Sequence, residues 1–172
     1  MEILSSASCR LCAAGIALAF LLLPGCKSSD ISKDVNIPGE VAEALPTDAP
    51  APTDIVRAIW YPHASGFETT YISPVGHASG VLVVAGNKLW FMAWNDVERH
   101  FDILRTLSFL EAKNLSLARF GGSTMLVFES DNLGFDSFEL MPSSRLGSDQ
   151  IGTQALFDKL QALRSKNPHS DR

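Results

Sequence analysis

The sequence predicts a mainly β, α+β domain. About seven antiparallel strands form a barrel or sandwich, closed by one C-terminal amphipathic helix and preceded by a disordered linker. Three observations carry this. Glycine-bearing turns recur between short apolar runs at Gly86-Asn87, Gly121-Gly122 and Asp131-Asn132-Leu133-Gly134, and such turns join antiparallel neighbours because glycine takes positive φ without a Cβ clash. After residue 148 the apolar spacing lengthens from two to three or four, the change from strand to helix. Ahead of both, residues 27–54 hold four of the nine prolines and no aromatic residue, too little apolar surface to offset the entropy of ordering.

The chain opens with an apolar run from Leu11 to Leu23, with Arg10 before it and Pro24-Gly25 behind. As a helix, such a run rises only about 20 Å, short of the roughly 30 Å hydrocarbon core of a bilayer. A short apolar run behind a positive charge, ending in small residues, is an export signal. Its end, Leu23-Pro24-Gly25-Cys26, resembles the lipobox of bacterial lipoproteins. The resemblance implies cleavage between Gly25 and Cys26, a diacylglyceryl group on the Cys26 thiol, and often a further acyl chain, such as palmitate, on the freed amine. Two or three chains make a stable anchor where one is marginal. No cofactor is expected beyond this covalent lipid. Cys9 and Cys12 fall in the removed segment, so the mature chain keeps Cys26 alone and no disulfide is expected. The domain should therefore lie outside the cytoplasm on a bacterial membrane. Lys27 in place of an aspartate after the cysteine favours the outer membrane over the inner, by resemblance to known sorting patterns.

Residues 26–54 are expected to be a lipidated, proline-rich, disordered tether. Its 28 residues after Cys26 reach about 90 Å extended and roughly 30 Å as a coil. "PGEVAEAL" offers a short helical turn starting at Pro38, or an arm lying on the domain. The domain proper is expected over residues 55–166, with a disordered tail at 167–172.

Within the domain, "IVRAIWY" and "FETTYIS" read as strands around a Pro62–Gly66 turn. "GVLVVAGNKLWFMAW", "LSLARFGGSTMLVFES" and "TMLVFESDNLGFDSFEL" are three successive hairpin signals, which imply a meander. "VERHFDILRTLSF" is ambiguous. Val97, Phe101 and Leu104 suit a helical face, whereas Phe101, Ile103, Leu107 and Phe109 mostly alternate. Its place between strands favours a strand. In "SDQIGTQALFDKLQALRSKNP", Leu156, Leu160 and Leu163 define a helical face, broadened by Ile151, Ala155 and Phe157. Ser148 or Thr153 can cap the start, and Asn167-Pro168 ends it.

From Gly80 onward this arrangement resembles the pleckstrin-homology-like superfold, and most closely its GRAM-type branch. The carrying segments are "SGVLVVAGNKLWFMAW", "NLSLARFGGSTMLVF", "DSFEL" and "LFDKLQAL". The resemblance implies a non-catalytic binding module for lipid headgroups, proteins or peptides. Phosphoinositide-binding members use lysine and arginine clusters in the first hairpin loops, where this chain offers only Lys88, so no ligand residues carry over.

The chemistry-bearing candidates are few. The net charge of −5 persists after the signal is removed, which gives no electrostatic footprint for nucleic acid. "GHASG" places His77 and Ser79 two residues apart, but a strand follows, unlike the strand–turn–helix of a nucleophile elbow. "ERHFD" puts Glu98, His100 and Asp102 on one side of a strand, a set able in principle to ligate a metal; a solvated mixed-charge face is the preferred reading. Trp90 and Trp94 share one side of a strand with Met92. If that row is exposed it is an apolar partner surface, and if covered it is core. The expected function is a membrane-anchored binding or scaffold module of the cell envelope, with an unidentified protein or lipid partner. The alternative is a small envelope hydrolase or metal-binding protein using His77/Ser79 or Glu98/His100.

Overall fold

The computed structural model describes residues 31, 35–63, 77–130, 134–142 and 147–167. Strands β2 (Ala78–Ala85) and β3 (Lys88–Asn95) turn at Gly86-Asn87, and β5 (Asn114–Phe120) and β6 (Ser123–Glu129) turn at Gly121-Gly122. Gly86 and Gly121 have φ of 61° and 58°, the backbone region those turns demand. The other strands are β1 (Asp54–His63), β4 (His100–Ser108) and β7 (Phe135–Leu140); helices α1 (Ile37–Ala44) and α2 (Gln150–Ser165) flank the set. The expected strand at 67–73 and the tail beyond Asn167 lie outside the described residues.

All seven strands form one antiparallel sheet in the order β4-β3-β2-β1-β7-β6-β5. This is two meanders sharing β1, and not the single run that the hairpin signals imply. Trp60 on β1 pairs with Ala78 on one side and with Phe138, far along the chain, on the other. Strands β4 and β5 end the order, so the sheet is folded over as a sandwich and is not closed into a barrel. Its halves face each other across one core, where Leu82 and Phe91 meet Leu126, Phe128 and Phe138. The Phe91 and Phe138 ring centroids are 5.9 Å apart. Leu156 and Leu160 of α2 complete this core.

Strand β2 is apolar without alternation because both its faces are covered. Leu82 and Val84 enter the inner core, while Val81, Val83 and Ala85 enter a second one on the outer face. At its start, a Cβ on Gly80 would lie 2.0 Å from the Met92 carbonyl oxygen, so only glycine admits the neighbouring backbone there.

The ambiguous segment is strand from His100 onward, with Val97 in the preceding turn. Its mixed periodicity has a physical cause. Met92 pairs with Ile103 but Phe91 pairs with Arg105, so Leu104 is an extra, bulged residue. A bulge switches the side-chain faces: Phe101 packs in the outer core, and Phe109 and Leu107 belong to the inner one.

Helix α2 is capped by Asp149, whose Oδ1 accepts the Gly152 N–H at 2.8 Å, and not by Ser148 or Thr153. Thr153 is fully buried, with its hydroxyl donating to the Asp149 carbonyl. Ile151 is 85% exposed and Ala155 is exposed, so the buried stripe is narrower than the sequence suggests.

The largest departure lies before β1, where the sequence predicts a disordered tether. Residues 35–53 run along the outer face of β2–β4 as an arm containing α1. Ile31, Val41 and Leu45 are buried with Val83, Trp90 and Met92. Beyond α1, Pro50 reaches the Gly86 turn and the Thr53 N–H donates to the Val84 carbonyl, which leads the chain into β1.

Candidate functional site

The tryptophan row is the first candidate surface, and it is not free. Trp90 and Trp94 are 4% and 6% exposed, covered by the arm. The Trp94 and Phe101 rings meet edge to face at 5.2 Å. The row is core, supplied with its cover by the chain itself.

A cleft of about 470 Å³ opens where the starts of α1 and α2 approach β1. Ile37, Pro38, Ile55 and Met141 give it apolar walls, with Arg57 and Asp149 as the charged groups among the described lining residues. Asp149 is engaged in capping α2. An apolar cleft with the Arg57 guanidinium at its wall suits an apolar side chain or acyl group bearing a hydrogen-bond acceptor. Nothing in the sequence marks it, because its walls come from elements far apart in the chain, α1, β1, β2, β7 and α2.

The nucleophile pair fares differently. His77 is exposed and Ser79 is half-buried; the His77 ring lies tilted against Tyr61 with centroids 6.0 Å apart. On that side of the sheet a buried carboxylate, Glu139, accepts hydrogen bonds from Tyr61 Oη at 3.0 Å and Ser123 Oγ at 2.5 Å. Burial, and then the adjacent Glu139 carboxylate, push the Tyr61 hydroxyl up to about 12. The carboxylate is thereby tied to two hydroxyls, neither of them Ser79.

Glu98, His100 and Asp102 do come together. His100 Nε2 lies 2.8 Å from Asp102 Oδ1 and 3.5 Å from Glu98 Oε2. Asp102 also accepts from Asn95 Nδ2, and Asn95 Oδ1 caps the turn by accepting the Val97 and Glu98 N–H groups. The hydrogen bond to Asp102 holds the His100 pKa above its ordinary value. The three groups satisfy one another at the surface, beside Glu40 and Glu43 of α1. Among the described residues no group of three has the arrangement of a metal site.

One polar constellation escaped the sequence reading. Asp136, 5% exposed, accepts from Trp60 Nε1 at 2.8 Å and from Arg105 Nε and Nη2 at 3.0 and 2.7 Å. Arg105 belongs to β4 and Asp136 to β7, so the fork-like pair links the two halves of the folded sheet. Desolvating Asp136 is offset by these three donors. The readable signal was parity: Asp136 stands two residues before Phe138, on the inward side of its strand.

Gly25 and Cys26 lie outside the described residues. Among those described, no helix is long and apolar enough to cross a membrane. No family model matches the chain, and neither a curated protein nor a solved structure matches it.

Proposed function

We propose that this chain is a lipid-anchored protein of the bacterial cell envelope whose pleckstrin-homology-like β-domain serves as a non-catalytic binding or scaffold module. The observation that carries the reading is Leu23-Pro24-Gly25-Cys26 behind a 13-residue apolar run, too short to span and correctly placed for thiol acylation. Seven antiparallel strands followed by one C-terminal helix fit the domain half of the proposal. The cleft between α1, β1 and α2 is its contact point for a partner, since it joins apolar walls to the Arg57 guanidinium. His77 and Ser79 as nucleophile, or Glu98 and His100 as ligands, have less support: Glu139 accepts from Tyr61 and Ser123 and not from Ser79, and Glu98, His100 and Asp102 bond one another at the surface.

The test is Cys26→Ser in the full chain, expressed in a bacterium. The wild type should enter the membrane fraction with the mass of residues 26–172 plus two or three acyl chains. The variant should keep its signal and lose the acyl mass. Identical mass and processing for both would sink the proposal.

A further inference from the structure

The arm changes how far the domain stands from its anchor. A 28-residue free tether would let it roam to about 90 Å, yet Ile31 is already 3% exposed in the outer core, five residues from Cys26. Resting on the lipid-anchor reading of Cys26, we infer that the docked arm holds the domain against the bilayer surface. Five residues span at most about 17 Å even when fully extended, less than the roughly 35 Å diameter of a domain this size. The bilayer is therefore the surface this domain faces.

Two further features agree. The net charge of −5 gives no attraction to anionic headgroups, so proximity comes from tether length and the docking of Val41 and Leu45 and not from lipid charge. The arm is also anchored at its other end, where Thr53 joins β2 through the Val84 carbonyl. It can shorten the leash only while Ile31, Val41 and Leu45 stay docked. Undocking restores all 28 residues.

The experiment uses the full-length lipoprotein in phosphatidylcholine vesicles carrying a headgroup-linked acceptor dye. The donor goes on Val97→Cys, a turn position 91% exposed and the sole free thiol once Cys26 is acylated. One variant inserts twelve Gly/Ser residues between Ser29 and Asp30, leaving every described residue in place; a second is Val41→Asp, which disrupts docking. Energy transfer should be strong in the parent and lower in both variants, lowest in Val41→Asp, because the coil length of the free tether grows about 1.8-fold from 5 to 17 residues and about 2.4-fold from 5 to 28. Equal transfer in parent and insertion variant, with acylated Cys26 verified by mass, would overturn the proximity inference and leave the anchor standing. An unacylated Cys26 would overturn both.

Discussion

The two helices cover opposite sides of one sheet, and they earn their order differently. Helix α2 has 16 residues, an aspartate cap, Arg164 in its last turn and three buried positions. Helix α1 has eight residues, no side-chain cap at Asn36, no basic residue in its last turn and one buried position, Val41. Isolated helices shorter than about 12–15 residues are marginal in water. Helix α2 is therefore written into its own segment, whereas α1 exists because the tryptophan face is there to receive it. Local sequence strength and tertiary need are separable, and the arm is the region where only the second operates.

The most damaging substitutions fall in α2. Leu160 is fully buried in the inner core, so Leu160→Ala should cost about 2–5 kcal/mol in urea unfolding, with strands and helix lost together. At α1 the effect should be smaller and local. Val41→Asp removes about 1.5–3 kcal/mol of apolar burial. It should accelerate amide exchange over residues 37–45 and shift tryptophan emission to the red, while β2 and β3 stay protected. A cooperative loss of the whole sheet in that variant would mean that arm and sheet are one unit.

The caps sharpen the contrast. Asp149→Ala should lower stability by about 1 kcal/mol, and Asn36→Ala should change it by no more than a few tenths, because only Asp149 makes a capping bond. The smallest effect concerns His100, which lies beside α1 near Glu40 and Glu43, with Glu98 and Asp102 on its own strand and turn. Its raised pKa means that the charged form is favoured by folding. That contribution is fully present below the ordinary value of 6.5 and is lost as pH rises through the raised one. Asp102→Asn should bring the His100 midpoint down in an NMR titration and flatten this pH dependence. An unmoved midpoint would show that Asp102 is not the cause.

Particular residues show how much was legible. Gly86 and Gly121 announced their hairpins because positive φ is a property of one residue. Leu156 and Leu160 announced α2 because 3.6-residue periodicity is local. The β4 segment was legible as strand, but the bulge at Leu104 was not, since a bulge is defined by the partner strand. The Arg105–Asp136 pair and the α1–β1–α2 cleft were hidden for the same reason. Each is assembled from elements distant in sequence. The tryptophan row was readable as an apolar face, but its occupant was not. Nothing about "NIPGEVAEAL" alone says that Val41 will be buried.

The mainly β class, two glycine turns and the closing helix follow from local sequence, because each rests on neighbours within a few residues. That β1 joins two meanders, that the sheet folds over on itself, and that the proline-rich segment becomes an arm are set by long-range packing. Those outcomes depend on apolar area buried between distant segments. Such area exists only after the chain has brought them together.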